Sequence, residues 1–197
     1  MLKKYRDYYF NKAKKENYPA RSVYKLKEIN NRFKLFKKGQ RVLDLGASPG
    51  SWTKYVKEQI GNQGIVVSVD LKVLDIPMQR GIIFFQGDIL KRDEKLEKIL
   101  DNYSPFDIVL SDMAPKTTGV KITDQSRSLE LAEMALDVAN EFLKTRGIFV
   151  VKIFNGPDVP RFQTQLRKYF KTVKTFKPKS SRAESKETFF IGLGKLE

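Results

Sequence analysis

The sequence contains neither cysteine nor histidine, and these two absences restrict its chemistry before any motif is considered. Without cysteine there is no disulfide, thiolate metal site or cysteine nucleophile, which fits a reducing cytoplasm. Without histidine, the commonest general base and the commonest metal ligand are both missing. We therefore expect no metal site, and we expect any acid–base chemistry to use Asp, Glu, Lys or Tyr.

Long apolar runs are missing as well. No stretch approaches the roughly 18 apolar residues of a membrane span, and the opening MLKKYRDYYF lacks the apolar core of a signal peptide. These features predict a cytoplasmic protein with no membrane partner. The 197 residues, 41% of them hydrophobic, suit one compact domain spanning 1–197, and no repeat or linker divides them. We expect a monomer.

Positive charge is abundant and unevenly placed in a chain of net charge +15. Residues 1–41 hold 14 Lys and Arg against three acids, and residues 161–186 hold nine against one. A general lysine bias would be spread evenly, so the two basic ends predict a polyanionic partner such as RNA. Within the first basic run lie the aromatic residues Tyr5, Tyr8, Tyr9 and Phe10. These rings either stack on bases or anchor a basic N-terminal arm to the body.

Short runs rich in Val, Ile and Phe alternate with amphipathic segments, which predicts a doubly wound α/β fold with a mostly parallel sheet. The predicted strands are RVLDLG after Gly39, then 65–70, 81–88, 106–112, 147–154, 172–176 and 188–194. The predicted helices are 19–36, 52–60, 93–101, 126–143 and 158–170. No helix separates the last two strands, so we expect the final strand to be antiparallel.

The segment DLGASPGSW, residues 44–52, is the sharpest local signal. A buried strand delivers Gly46 into a tight turn, and Gly50 permits close backbone approach to a ligand. The spacing is neither the G-x-G-x-x-G of dinucleotide-binding proteins nor a P-loop. Trp52 either walls a cofactor pocket or is a core residue of the next helix.

Two acids extend this signal, because ligands of such folds bind at the carboxyl ends of the strands. Asp70 ends the second strand, where a carboxylate can accept both hydroxyls of a ribose. Asp88 ends the third strand and can accept from an adenine amino group. The set predicts an adenosine-bearing cofactor without a pyrophosphate clamp, which fits S-adenosylmethionine.

Four further residues are candidate functional residues, and their sequence contexts support a function to different degrees. Lys152 lies inside the apolar run GIFVVKIF. Burying an ammonium there is costly, so its presence indicates a function. Asp112 ends a predicted strand. Lys25 lies in a basic helix, where a lysine is usually solvated or binds phosphate. Glu187 alone has nothing to distinguish it.

Five ordered segments together resemble the FtsJ/RrmJ family of RNA ribose 2′-O-methyltransferases. They are ARSVYKL (20–26), DLGASPGSW (44–52), SDMAP (111–115), VVKIF (150–154) and SRAESKET (181–188). The resemblance extends from about Tyr18 to Leu193. It implies a catalytic tetrad of Lys25, Asp112, Lys152 and Glu187, with Glu184 as a rival acid. It implies cofactor contacts at Gly50, Trp52, Asp70, Asp88 and Asp112.

The resemblance also implies the reaction, which is S-adenosylmethionine-dependent 2′-O-methylation of a uridine ribose in large-subunit ribosomal RNA. The expected partner is this RNA within the large ribosomal subunit. A tRNA or another RNA as substrate remains an alternative, and so does a non-catalytic RNA-binding module. The sequence leaves open whether Lys152 acts as a neutral base or as a charged group that stabilises the developing alkoxide.

Overall fold

The computed structural model describes residues 2–181 and 185–197, with side chains from Tyr8 onward within those ranges. In this part of the chain, seven strands form one sheet. They are β1 (Arg41–Leu45), β2 (Ile65–Asp70), β3 (Ile82–Gln86), β4 (Phe106–Ser111), β5 (Leu143–Phe154), β6 (Phe170–Phe176) and β7 (Glu187–Lys195). The helices are α1 (Leu2–Lys15), α2 (Val23–Phe33), α3 (Ser51–Ile60), α4 (Glu94–Tyr103), α5 (Lys121–Phe142) and α6 (Val159–Tyr169).

The strand order is β3-β2-β1-β4-β5-β7-β6. The pairings among β1 to β5 are parallel, whereas β7 is antiparallel to both β5 and β6. The predicted doubly wound α/β fold and the antiparallel final strand are therefore confirmed. The order in which successive strands are added to the sheet reverses between β1 and β4, and ligands of open α/β sheets bind at such a switch point.

Helices cover both faces of the sheet and bury two apolar cores. One core contains Leu96, Leu136 and Phe162, from α4, α5 and α6. The other contains Leu26 of α2 and Val56 of α3, on the opposite face. Alternating strand residues supply both cores, which explains the continuous apolar runs in the sequence. Within the described ranges, no helix is both long and apolar enough to span a bilayer.

Several elements differ from the sequence-based prediction. Helix α2 spans Val23–Phe33 instead of 19–36, and β3 ends at Gln86, two residues before Asp88. The basic N-terminal arm contains the helix α1, which its polar composition did not indicate. Helix α5 begins at Lys121 instead of 126, because the Asp124 carboxylate accepts from Thr118 and Gly119 and orders the preceding loop. Strand β5 begins at Leu143 instead of 147, and its register with β4 shifts before Ile108.

Candidate active site

The predicted site residues follow one another across the carboxyl edge of the sheet. Register pairs Leu45 with both Val69 and Ser111, so the residues after them, Gly46, Asp70 and Asp112, stand at one level. Pairing of Ser111 with Val151 places Lys152 beside Asp112. The predicted cofactor residues thus lie mainly on one half of this edge, and the tetrad lies on the other.

The glycine turn packs directly against the segment that carries Asp112. Gly46 has a φ of 73°, and a Cβ there would lie 2.8 Å from Met113 Cγ. Gly50 has a φ of 104°, and a Cβ there would lie 3.1 Å from two carbons of Ile76. Both positions therefore require glycine for backbone conformation and for packing. The space beside Gly50 is occupied by a protein side chain.

Asp70 and Asp88 both face backbone amides in their own turns. The Asp70 carboxylate accepts from the Ser48 N–H at 2.9 Å and from the Lys72 N–H at 2.8 Å. It thereby ties the glycine turn to the end of β2. The Asp88 Oδ1 accepts from the Leu90 N–H at 3.0 Å, which leaves its second oxygen available to a ligand. The cofactor roles of both carboxylates stay predictions.

Lys152 forms a close pair with Asp112. Its Nζ donates to Asp112 Oδ1 at 2.8 Å and to the Asp112 carbonyl oxygen at 2.5 Å, and its side chain is only 6% exposed. An ammonium at this depth needs a carboxylate and further hydrogen bonds to offset the lost hydration. Asp112 supplies both kinds of acceptor.

Glu187 joins the same face of the sheet from β7. Lys152 pairs with Phe189 across β5 and β7, so Glu187 lies two residues along β7 as a diagonal neighbour. The Glu187 carboxylate binds Lys25 Nζ of α2, at 2.6 Å from Oε1 and 2.8 Å from Oε2. Glu187 is the first residue of β7, whereas the sequence pattern places the start of this strand at 188. The rival Glu184 lies outside the described residues.

Contacts with α3 position the helix that carries Lys25. The Ser51 Oγ accepts from the Ala20 N–H at 2.7 Å and donates to the Ala20 carbonyl at 3.1 Å. The Trp52 Nε1 donates to the Ser22 carbonyl at 3.0 Å, and its indole packs 5.9 Å from the Phe189 ring. Trp52 is thus a buried residue that links α2 to β7, and its cofactor contact stays a prediction. The role of Ser51 was missed by the sequence analysis.

The two basic ends of the chain meet beside this site. Arg21 donates to the Ser180 carbonyl at 2.7 Å, and the Glu28 carboxylate accepts from the backbone of Lys179 and Ser180. A groove of about 590 Å³ separates α1 and α2 from β6. Its lining includes the aromatic residues Tyr9, Tyr24 and Phe176 and the cations Lys12, Lys27, Arg32 and Lys179.

Of the aromatic residues predicted to stack on bases or to anchor the arm, one anchors α1 and two are exposed. Tyr9 packs 5.2 Å from the Tyr24 ring and anchors α1 to the body. Tyr8 and Phe10 are 58% and 47% exposed, so their rings are available to a partner. The side chain of Tyr5 lies outside the described ones, as do Arg182 and the side chains of Lys3, Lys4 and Arg6.

Comparison with known proteins decides the family. The family model described as FtsJ-like methyltransferase matches residues 18–195. The chain belongs to the FtsJ-like methyltransferase family. It is 57% identical over 193 residues to the ribosomal RNA large subunit methyltransferase E of Nitratidesulfovibrio vulgaris, covering 98% of this chain and 95% of that one. It is 55% identical to the protein of that name from Lawsonia intracellularis, covering 98% and 96%.

Solved structures agree with this membership. A ribosomal RNA methyltransferase from Plasmodium falciparum superposes with a TM-score of 0.81 at 32% identity, covering 91% of this chain and 99% of that one. A rRNA-methylase from Clostridium thermocellum has a TM-score of 0.58 at 19% identity, covering 87% and 96%, and shows a shared fold only. The resemblance inferred from the five segments is therefore confirmed, and this FtsJ-like protein is a methyltransferase.

Asp44 is a buried carboxyl group that the sequence analysis did not place in the site. It is fully buried on β1, its Oδ2 accepts from Thr53 Oγ1 at 2.7 Å, and its Oδ1 has no hydrogen-bond partner among the described residues. The pKa of Asp44 is raised to about 7, mainly by burial; the Thr53 hydrogen bond opposes this rise, and the charges of Asp112 and Asp70 add to it. The sequence does contain a feature that singles out Asp44, because an acid inside the apolar run RVLDL is as unusual as a lysine inside GIFVVKIF.

The titration of Asp44 should make the stability of the folded protein depend on pH. Folded protein keeps the Asp44 proton up to a pKa of about 7, whereas unfolded chain loses it above its ordinary pKa of 3.8. The folded state binds more protons between these values, so Asp44 makes stability fall as pH rises from about 4 to 7. Asp44→Asn should remove this loss, because an amide can still accept from Thr53 without ionising.

Urea unfolding of both proteins at several pH values from 4 to 8 measures the effect. The difference in unfolding free energy, Asp44→Asn minus wild type, should increase with pH up to about 7. A difference that stays constant across this range would show that Asp44 is ionised throughout. Asp101→Asn, on the exposed surface of α4, serves as the matched control.

Proposed function

We propose that this protein transfers the methyl group of S-adenosylmethionine to a uridine ribose 2′-hydroxyl in large-subunit ribosomal RNA. The observation that carries the proposal is the pair of ion pairs, Lys152–Asp112 and Lys25–Glu187, on one face of the sheet edge. Support for the substrate comes from relatives named ribosomal RNA large subunit methyltransferase E, which align over nearly their full length. A cytoplasmic location and a monomeric state remain predictions.

The residues at the glycine turn fit S-adenosylmethionine. The turn offers no lysine or arginine as a pyrophosphate clamp, and a sulfonium cation needs none. Asp70 and the free oxygen of Asp88 provide acceptors at the ends of neighbouring strands for ribose hydroxyls and an adenine amino group. When bound, S-adenosylmethionine supplies a methyl group attached to a positively charged sulfur.

The transfer is a displacement at that methyl carbon. The ribose 2′-oxygen forms a bond to the carbon, and the carbon–sulfur bond breaks with its electron pair going to sulfur. The hydroxyl proton passes to the Nζ of Lys152 and from there to solvent. A ribose hydroxyl is a weak acid and a poor nucleophile, so a positioned base and an in-line arrangement are what the protein must provide.

The hydrogen bonds of Lys152 suit the role of base. Two N–H groups of Lys152 Nζ donate to the carboxylate and to the carbonyl oxygen of Asp112. The ammonium has no lone pair, so Lys152 must lose one proton to solvent before it can act as a base. The resulting neutral amine has two hydrogens, both engaged by Asp112, and its lone pair is the free position. Asp112 thereby aims the lone pair at the substrate and, as the lysine gains a proton, stabilises the new charge.

Lys25 and Glu187 provide the second side of the site. Their side chains are 15% and 9% exposed, so the ion pair is largely shielded from water. We propose that they orient the ribose through hydrogen bonds, since neither contacts Lys152 among the described interactions. Because Lys25 comes from α2 and Glu187 from β7, the pair also fixes the helix against the strand.

The groove beside the site suits the RNA that flanks the target nucleotide. Lys12, Arg32 and Lys179 offer charges to phosphates, and Tyr9, Tyr24 and Phe176 offer aromatic surface. Exposed Tyr8 and Phe10 extend this surface along α1. Contacts of this kind bind the RNA backbone and single-stranded bases, and they should weaken with salt.

Substitutions of Lys152 distinguish two roles for this residue, a base that accepts the hydroxyl proton and a charged group that stabilises the developing alkoxide. Both Lys152→Ala and Lys152→Arg should lower the single-turnover methylation rate by about 10²–10⁴-fold, because arginine keeps the charge and cannot accept the proton. Lys98→Arg, at an exposed lysine paired with Glu94 on α4, should retain the wild-type rate. Near-normal activity of Lys152→Arg would instead assign Lys152 the role of a charged stabiliser.

Asp88→Asn tests the adenine contact more cleanly than a change at Asp70, whose two oxygens both hold the turn. The amide oxygen can keep the bond to the Leu90 N–H, while an NH₂ group replaces the free acceptor. Affinity for S-adenosylmethionine, measured by calorimetry, should fall about 10-fold. Asp101→Asn is again the control, and an unchanged affinity would remove Asp88 from the cofactor site.

The substrate is tested by incubating the protein with labelled S-adenosylmethionine and separated RNA fractions. Label is expected in large-subunit ribosomal RNA, and primer extension at limiting nucleotide concentration should stop beside a 2′-O-methylated uridine. Label confined to tRNA or to another RNA would replace the proposed substrate. Absence of label from every fraction, with RNA binding intact, would favour a non-catalytic module.

A further inference from the structure

A second basic surface lies at the amino edge of the sheet, opposite the candidate active site. A cavity of about 420 Å³ opens there beside the first residues of β1, β4 and β5. Its charged lining residues are Lys34, Lys37, Lys38, Lys144, Arg146 and Asp107. We call this surface the amino-edge cavity. Five basic side chains against one carboxylate leave it strongly positive.

The single carboxylate of the cavity is already engaged. Asp107 accepts from Lys144 Nζ and from the Arg41 N–H. Among the residues that the structure describes, no carboxylate lies within ion-pair distance of Lys34, Lys37 or Arg146. These exposed cations repel one another, so an anionic ligand would be favoured there.

The backbone provides an independent observation. Lys34 and Arg146 have φ values of 52° and 64°, in the left-handed region that favours glycine or asparagine. Of the described residues other than glycine, Asn17 alone shares this feature. Both positions thus carry a long cationic side chain where a smaller residue fits the backbone better. Such a choice points to a function for the charge.

The cavity is distant from the site of methyl transfer. Arg146 and Lys152 are six residues apart on β5, which corresponds to about 20 Å along an extended strand. Nucleotides that contact Lys152 therefore cannot fill the amino-edge cavity as well. A ligand there must be a separate segment of RNA or a different molecule.

The lining favours RNA over a membrane or a protein partner. No exposed large hydrophobic side chain among the described residues belongs to the cavity, whereas membrane surfaces and protein interfaces usually need one. We infer that the amino-edge cavity binds backbone phosphates of an RNA segment remote from the methylated nucleotide. This inference rests on the proposed function for the identity of the RNA. It explains how a small enzyme could prefer a large folded RNA to a short strand.

The test compares two double variants that each remove two positive charges. Lys34→Asn with Arg146→Asn alters the cavity, and asparagine tolerates the left-handed backbone. Lys95→Gln with Lys98→Gln alters α4, on the other face of the sheet, as the control. Binding to transcribed large-subunit ribosomal RNA and to a 12-nucleotide oligouridylate is measured by filter retention at several salt concentrations.

The cavity variant should bind the large RNA about 10-fold more weakly than wild type in 0.1 M salt, with the salt slope reduced by about 2. The α4 variant should change this affinity less than about 2-fold, and the 12-mer should not distinguish the two variants. Thermal unfolding establishes that both are folded. Should the cavity variant unfold, Lys37→Gln compared with Lys98→Gln alone gives the corresponding one-charge comparison, since Lys37 does not have a positive φ.

Equal losses by both variants, or no loss by either, would overturn the inference. So would a cavity variant that keeps its affinity for RNA but no longer binds vesicles of phosphatidylserine and phosphatidylcholine. Methyl transfer by wild-type protein to the same transcript is scored separately. Selective binding without transfer would support the cavity as an RNA site and contradict the proposed function.

Discussion

The ammonium of Lys152, nearly buried on a central strand, is the constraint on which the rest of the site depends. A charge at that depth is tolerated only where acceptors replace its water, and Asp112 supplies a carboxylate and a carbonyl. Asp112 can do so because its own strand runs parallel to β5 in matching register. The loop after Asp112 is in turn fixed by Met113, which packs where Gly46 has no side chain. The candidate catalytic pair and the glycine turn are therefore parts of one packed unit.

The second ion pair depends on an element outside the sheet. Lys25 reaches Glu187 because the apolar face of α2 packs on the sheet, while Ser51 and Trp52 of α3 hold the residues just before this helix. These two residues directly follow the glycine turn in sequence. The segment from Gly46 to Trp52 thus shapes the predicted cofactor site and also positions a helix that supplies a candidate catalytic lysine. Substitutions in this segment are expected to affect both sites together.

Much of this arrangement could be predicted from the sequence. Apolar runs located every strand, and the five ordered segments identified the family. The boundaries that failed depend on contacts that periodicity does not show. Helix α5 begins early because of a local contact of Asp124 with the preceding loop, and α1 is stabilised by a tertiary one, the packing of Tyr9 on Tyr24. Asp44 was assigned no role, although its place in an apolar strand resembled that of Lys152. The amino-edge cavity could not be foreseen, because its cations come from two short segments that are more than 100 residues apart in the sequence.

The α/β class, the absence of histidine and cysteine chemistry, and the membership of the FtsJ-like family all follow from the amino-acid sequence. These properties follow from composition, periodicity and short motifs, which are local. Only the tertiary structure decided which charges pair, that Trp52 is buried as a link between α2 and β7, and that basic residues form surfaces at two opposite edges. Pairing and burial depend on strand register and on the packing of distant segments, and a one-dimensional pattern does not specify these distances.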